Sequence, residues 1–228
     1  MAHAGNPMGG HDGSAESEEE PLAGRDFMSK NISIVKGKVV VEGKFTSLEE
    51  EVVRAKCRGR KILEFWRTSH ASLSFLRGLI GVEELSFVNA KIEDPSALSC
   101  LSTLKRLFLN GVRVRSGFGF LATLEQIEEL HLLNLKGELV LPDLEGLDSL
   151  RKFCVWGCKG FSDASVLKGV RHLEEVEFID TAMGPDDLLV LFEKASIKCV
   201  DSRFRTKRHN DTFSEYLVKF NKRQYRDP

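Results

Sequence analysis

The sequence predicts an α/β solenoid with a curved parallel β-sheet on its concave face and short helices and irregular segments on its convex face. This prediction comes first from a repeat: five similar segments begin 22, 23, 23 and 23 residues apart, at Val82, Leu104, Ile127, Leu150 and Leu173. Each segment has apolar residues at its first, fourth and sixth positions, so it predicts one short strand whose fourth and sixth side chains point inward. A single repeat cannot bury its own apolar face, so the core forms by stacking.

The five segments follow the template L-x-x-L-x-L-x-x-(N/C)-x-L. They read VEELSFVNAKI (82–92), LKRLFLNGVRV (104–114), IEELHLLNLKG (127–137), LRKFCVWGCKG (150–160) and LEEVEFIDTAM (173–183). They resemble the leucine-rich-repeat superfamily, in particular its intracellular type with 22–23 residues per repeat. RKILEFWRTSH (60–70) is a degenerate first repeat and IKCVDS (197–202) a last one, so we expect the array to span 60–202. Such a fold serves many functions and does not by itself define one.

An open stack of repeats needs capping at both ends. In the N-terminal cap, residues 27–59, NISIVKGKVVVEG (31–43) predicts a hairpin, and TSLEEEVVRA (46–55) predicts a helix capped by Thr46 or Ser47. In the basic C-terminal cap or tail, residues 203–228, the segment 211–225 predicts a helix across the final repeat. Four residues would share its apolar face: Phe213, Tyr216, Leu217 and Phe220.

The segments outside the predicted strands differ in character. Residues 94–103, 163–172 and 184–195 have helix-start residues followed by apolar residues at helical spacing, and they predict short helices. The proline and glycines of 137–149 predict an irregular return. Residues 1–26 are rich in Gly, Ser, Pro and Glu, which predicts a disordered tail.

Composition limits the environment and the partners. The chain has 33 basic and 34 acidic residues, so its overall charge does not favour nucleic acid or a membrane surface. It has no run of about 18 apolar residues that could span a bilayer. Its five scattered cysteines and the absence of a secretory signal favour an intracellular location, in the cytoplasm or nucleus.

The seventh position of each repeat predicts a binding surface, since it faces outward on the concave sheet. Five of its six residues are apolar, where a solvated surface would be polar. The predicted protein-binding residues are this strip together with two fifth-position neighbours: Trp66, Val88, Leu133, Trp156 and Ile179 with Phe108 and His131. We expect the two tryptophans to act as anchors. The alternative is that the chain's own termini cover this face.

The second and third positions alternate in charge along the array, from Glu83-Glu84 to Lys105-Arg106 to Glu128-Glu129 to Arg151-Lys152. Neighbouring strands would therefore carry opposite charges side by side, which favours a parallel register. The same acidic pairs disfavour nucleic acid on this face. Among the cysteines, we expect Cys158, at the ninth position, to be buried and Cys154, at the fifth, to be exposed on the concave side.

The basic C-terminus supports an alternative function, a ribonucleoprotein-associated factor that contacts RNA or an acidic partner. The candidate contact residues are Arg203, Arg205, Lys207, Arg208, Lys222 and Arg223. A second alternative is a substrate-recognition adaptor of a ubiquitin ligase, because VWGCKGFSD (155–163) resembles the cysteine-containing repeats of such receptors. Those receptors carry a three-helix F-box before the repeats, and the residues before Arg60 are too few and too polar to provide one.

The sequence gives no support for an enzymatic activity. It contains no G-x-x-x-x-G-K-[ST], H-E-x-x-H or G-x-S-x-G motif, and its six histidines are scattered over the repeats and tails. Cys154 and Cys158 have no second Cys/His pair at zinc-site spacing. We therefore expect no enzyme, cofactor or metal, but a protein-interaction module or scaffold subunit whose partner is another protein, within a multi-subunit complex or as a second copy of this chain.

Overall fold

A computed structural model describes residues 31–225, and the predicted tail at 1–26 lies outside them. Within this range the chain forms a nine-stranded sheet in the order β1-β2-β3-β5-β7-β9-β10-β11-β12, parallel from β2 onward. Its strands are β1 Ile32–Val35, β2 Lys38–Glu42, β3 Ile62–Trp66, β5 Glu84–Val88, β7 Arg106–Asn110, β9 Glu129–Leu133, β10 Lys152–Trp156, β11 Glu175–Ile179 and β12 Cys199–Arg203. The α/β solenoid predicted from the repeat is confirmed.

The repeat register explains the core. In β5 the burial alternates, so that Leu85 and Phe87 are fully buried while their neighbours face the concave surface. Equivalent residues of successive strands lie directly opposite each other, as Leu85 lies between Leu63 and Leu107. Each repeat strand from β3 to β11 thus adds its fourth and sixth side chains to one continuous core.

The N-terminal end of the sheet is closed by a hairpin and a helix. Strands β1 and β2 pair antiparallel around Lys36 and Gly37, which both have positive φ, as a tight two-residue turn requires. Helix α1 spans Ser47–Cys57 with Thr46 as its N-cap residue, and the Thr46 backbone N–H donates to the Glu49 carboxylate at 2.9 Å.

The convex side differs in two ways from the prediction. The short helices are mainly 3₁₀: they cover Ser74–Gly78, Ser96–Cys100, Gly119–Thr123, Ser165–Leu167 and Asp186–Leu188, and only the last continues into an α-turn, α2 Leu189–Phe192. In addition, β4 Ser69–Ser72, β6 Lys91–Asp94 and β8 Arg113–Val114 form a second, three-stranded parallel sheet. Its strands follow β3, β5 and β7 of the concave sheet.

The turn after each concave strand departs from the template. Only Cys158 has the expected Asn or Cys at the ninth position; its Sγ accepts from the Leu135 N–H at 3.3 Å and it is fully buried. The preceding eighth position has positive φ in six repeats, where Arg67, Asn89, Gly111, Asn134, Gly157 and Asp180 stand. In the first five of these repeats its N–H donates to the seventh-position carbonyl of the next repeat, as from Asn134 to Trp156 at 2.7 Å. Glycine and asparagine suit this left-handed turn.

The C-terminal end is closed by helix α3, Lys207–Lys219, and by the segment after it. The helix starts earlier than predicted, with Thr206 as its N-cap, and Phe213 is buried against Phe192 at a ring distance of 5.7 Å. The chain then returns to the sheet, where Arg223 pairs with Cys199 beside β12. This contact covers part of the open edge of the last strand.

The predicted charge alternation produces ion pairs between neighbouring repeats. They are Lys61–Glu83 at 2.7 Å, Arg106–Glu84 at 2.9 Å, Lys105–Glu128 at 3.0 Å, Lys152–Glu175 at 3.7 Å and Lys198–Glu174 at 2.7 Å. The side chains are partly exposed, so each pair contributes only about 0.2–1 kcal/mol.

Reversing one of these acidic pairs should weaken the stack. We expect the double variant Glu128→Lys, Glu129→Lys to lower the free energy of unfolding by about 1 kcal/mol, because it breaks the Lys105 pair and places like charges on adjacent strands. Urea unfolding measures this change. The matched control is Glu145→Lys, an exposed glutamate on the convex return. A midpoint that rises in the double variant contradicts stabilising side-by-side pairing.

Candidate protein-binding surface on the concave sheet

The seventh-position residues form one row across the concave sheet. Register pairs them in the order Trp66, Val88, Asn110, Leu133, Trp156, Ile179 and Arg203. We call this the seventh-position row. Adjacent strands are about 4.8 Å apart, so its apolar side chains lie next to one another from β9 to β11.

The two tryptophans are the most exposed members of the apolar set. Trp156 is 52% exposed and Trp66 is 39% exposed, whereas Val88, Leu133 and Ile179 are half-buried between their neighbours. The Trp66 indole N–H donates to the Glu64 carboxylate at 3.2 Å, which holds that ring on the concave side. Neither tryptophan belongs to the core, in agreement with the alternation of side chains along each strand.

Asn110 interrupts the apolar part of the row. Its Oδ1 accepts from the Asn134 side-chain amide at 2.9 Å. At the fifth position beside it, the rings of Phe108 and His131 stack at 4.3 Å, and His131 Nε2 lies 3.3 Å from the Glu129 carboxylate. Burial lowers the pKa of His131, although the Glu129 hydrogen bond acts in the opposite direction. The stacked pair thus continues the apolar surface around Asn110.

The C-terminal segment covers a different part of the concave face. The Tyr225 hydroxyl donates to the Glu175 carboxylate, and the Lys152 ammonium lies 4.4 Å from the centre of the Tyr225 ring. Gln224 donates to Asp201 at 3.0 Å. These contacts involve third- and fifth-position residues of the last repeats. In the described part of the chain, the seventh-position tryptophans remain exposed.

The prediction that Cys154 is exposed was wrong, because its side chain is buried. The larger His131 and Glu177 stand at the same register on the two flanking strands and cover the small thiol. Burial, together with the nearby Glu177 charge, raises the pKa of Cys154 to about 12. Such a thiol is a poor nucleophile at neutral pH.

The six basic C-terminal candidates do not form one patch. Arg203 ends β12, and Arg205, Lys207 and Arg208 lie at or just before the start of α3, whereas Arg223 lies beside the beginning of β12. A strand of five residues separates these two ends by about 13 Å. Lys222 is half-buried and donates to the carbonyls of Lys194 and Ile197, both at 2.7 Å, so it fixes the C-terminal segment in place.

A cleft of about 770 Å³ opens at the C-terminal end of the seventh-position row. We call it the basic cleft, because Lys159, Arg203, Arg205 and His209 line it, against one lining acid, Asp180. Its remaining surface includes Ile179, Met183 and Phe204. Sequence reasoning identified the two arginines and Ile179 but missed Lys159, Met183, Phe204 and His209, which come from segments with no shared repeat position.

Two negative findings apply to the described residues. Between residues 31 and 225, no group of His, Cys, Asp and Glu side chains could hold a metal ion. Nor does this part of the chain contain a helix long and apolar enough to cross a membrane.

Comparison with solved structures identifies the fold. The internalin C2 of Listeria monocytogenes aligns with a TM-score of 0.54 and 18% identity, covering 75% of this chain and 72% of that one. The internalin inlF of the same organism aligns with a TM-score of 0.51 and 17% identity, covering 78% of this chain and 58% of that one, which is less than two thirds of its length. No protein-family model matches the chain, and no curated protein matches it. Internalins are leucine-rich-repeat proteins, and the chain has the leucine-rich-repeat fold.

Proposed function

We propose that the protein is an interaction module that binds a protein partner through the seventh-position row of its concave sheet. The observation that carries the proposal is the exposure of Trp156 and Trp66 on one row of the sheet, which the described C-terminal segment leaves uncovered at both tryptophans. Large apolar side chains exposed together on a rigid scaffold usually mark an interaction site, and tryptophan is among the commonest binding hot spots.

The composition of the surface fits a protein interface. An apolar strip, from Leu133 through Trp156 to Ile179, lies on the same face as ion-paired third-position residues such as Lys152 and Glu175, which stand at the opposite ends of the strands. Interfaces commonly combine an apolar centre with a charged, solvated rim. The acids on the third and fifth positions disfavour a phosphate backbone on the same surface.

The alternative functions have less support. A contact with RNA would use Arg203, Arg205, Lys207 and Arg208, since Lys222 is engaged by backbone carbonyls. For a ubiquitin-ligase adaptor, the described residues ahead of β3 form a hairpin and one helix, and this leaves no three-helix recruiting domain between residues 31 and 61. The proposal assigns no catalytic activity, cofactor or metal to the protein.

We further propose that the protein works inside the cell, in the cytoplasm or nucleus. All five cysteines are free, and Cys57, Cys154, Cys158 and Cys199 are buried. Free thiols are typical of a reducing compartment.

Affinity capture with mass spectrometry tests the proposed function. We expect the double variant Trp66→Ala, Trp156→Ala to lose the main protein partner, with an affinity at least about tenfold lower, whether or not RNase is present. The matched control is Ile80→Ala, Val218→Ala, which removes two exposed apolar side chains outside the sheet and should leave capture unchanged.

The same experiment can contradict the proposal. Partners that survive the tryptophan substitutions but disappear with RNase would move the function to the basic residues near α3. The molar mass of the purified protein in solution tests for self-association. If it increases with protein concentration in the wild type and not in the tryptophan variant, the partner is a second copy of this chain.

A further inference from the structure

We propose that the basic cleft binds an acidic peptide segment of the protein partner, one that places a carboxylate next to apolar side chains. This inference rests on the proposed function and specifies the chemistry of the partner. It concerns the end of the seventh-position row, where the apolar strip meets Lys159, Arg203, Arg205 and His209.

The cleft and the apolar strip form one continuous surface. Ile179 belongs to both, because it lines the cleft and stands between Trp156 and Arg203 in the register of β10, β11 and β12. Two strand spacings separate Trp156 from Arg203, which is about 10 Å. An extended segment of about three residues covers this distance, so a single peptide can place an apolar side chain on Trp156 and an acidic one in the cleft.

The charges of the cleft favour an anion. They come from separate parts of the fold: Lys159 from the turn after β10, Arg203 from the end of β12, and Arg205 from just before the N-cap of α3. None of the ion pairs between residues 31 and 225 involves Lys159. Among the described residues, Arg205 pairs only with the exposed Asp180, at 3.4 Å. Guanidinium groups bind carboxylates with good geometry, and exposed pairs such as this one exchange readily.

The walls of the cleft are held in place without a ligand. The Asn210 side chain accepts from the Phe204 N–H at 3.0 Å and donates to the Phe204 carbonyl at 2.9 Å. The Phe204 ring packs edge-on against the buried Phe213 at 5.5 Å. A site that is already ordered loses little conformational entropy on binding.

The surroundings favour a peptide over a nucleic acid. Ile179, Met183 and Phe204 provide an apolar wall beside the cations. The fifth-position acid Glu177 lies only two residues from Ile179 along β11. A phosphate backbone that continued across the sheet would meet this acid, whereas a peptide can present one carboxylate between apolar residues.

The test selects ligands from a phage-displayed library of random short peptides on the full chain and measures their affinity by fluorescence anisotropy. We expect selected sequences to combine Asp or Glu with Leu, Phe or Trp. The double variant Lys159→Glu, Arg205→Glu should weaken their binding by about tenfold or more. Lys168→Glu, an exposed lysine on the convex side, is the matched control and should bind as the wild type does.

The outcomes separate this inference from the proposed function. If the tryptophan variant loses the peptides while the cleft variant binds them normally, the cleft inference is wrong and the proposed function stands. If the cleft variant loses them while the tryptophan variant does not, the cleft is the site and the strip is not. Cleft-dependent binding of an oligouridine that is tighter than that of the peptides overturns the assignment to a peptide. Peptide binding that appears only after Glu18, Glu19 and Glu20 are changed to Gln contradicts a segment of the partner, since the chain's own acidic segment would then occupy the cleft.

Discussion

Replacing Gly160 with alanine is expected to lower the free energy of unfolding by about 3 kcal/mol or more. A Cβ atom at this position would lie 1.9 Å from the carbonyl oxygen of Gly137 and 2.9 Å from the Cα atom of Glu138. These are backbone atoms, which cannot move aside as the end of a flexible side chain can. The substitution therefore forces two neighbouring repeats apart.

The template explains why this position is unusual. Gly160 and Gly137 occupy the eleventh position of their repeats, where Ile92 is buried in an earlier repeat. Without side chains, the two backbones approach closely, and the Leu139 N–H donates to the Gly160 carbonyl at 3.2 Å. The next residue, Phe161, fills the core instead and stacks on Phe178 at 5.8 Å.

Urea unfolding of Gly160→Ala, compared with Gly146→Ala, measures this effect. A Cβ at Gly146 would meet no atom within 4 Å, so that substitution should be neutral or stabilise the protein by up to about 1 kcal/mol through the unfolded chain. If Gly160→Ala is as stable as Gly146→Ala, the close approach of the two repeats does not exist in solution.

The period of the sequence was sufficient to predict the strands, their inward residues and the outward position of both tryptophans. It was not sufficient where burial depends on neighbours from other strands. Cys154 has an outward position, yet His131 and Glu177 cover it because a thiol is small. Gly160, at the eleventh position, is a second example. A side chain is excluded there by the backbone of the adjacent repeat, and the sequence period does not show how closely two repeats stack.

The basic cleft was only partly predictable for a related reason. Arg203 and Arg205 stand in a basic segment, which composition makes visible, but Lys159 and Met183 belong to turns of two earlier repeats. Such residues converge only through the stacking geometry. The second parallel sheet, β4-β6-β8, likewise depends on backbone pairing between repeats and not on a pattern of side chains.

Between pH 7 and pH 4, the titration of the buried His70 should change stability. It is only 3% exposed, its ring lies 5.0–5.8 Å from those of Phe45, Phe65, Phe75 and Phe87, and Nε2 lies 2.9 Å from the Thr68 hydroxyl. Burial lowers the pKa of His70 from 6.5 to about 4. The folded protein therefore keeps this imidazole neutral under conditions in which an unfolded chain would protonate it.

The direction of the pH effect follows from this difference. Above pH 6.5 the imidazole is neutral in both states, so it has no effect on stability. Between about pH 6.5 and pH 4 the unfolded chain binds a proton that the folded protein does not, and stability falls by about 1.4 kcal/mol per pH unit. Below pH 4 both states are protonated and the loss stays constant, at about 3 kcal/mol.

The variant His70→Phe isolates this contribution, because it keeps an aromatic ring in the cluster and removes the titrating group. The free energy of unfolding is measured in urea at pH 7 and at pH 4.5. We expect its decrease between these two pH values to be about 2 kcal/mol smaller in this variant than in the wild type. The unpaired Thr68 hydroxyl lowers stability equally at both pH values and cancels in the comparison. His172→Gln, at an exposed histidine, should lose as much unfolding free energy between pH 7 and pH 4.5 as the wild type does. If His70→Phe and the wild type lose the same unfolding free energy between pH 7 and pH 4.5, this histidine is not held neutral in the folded protein.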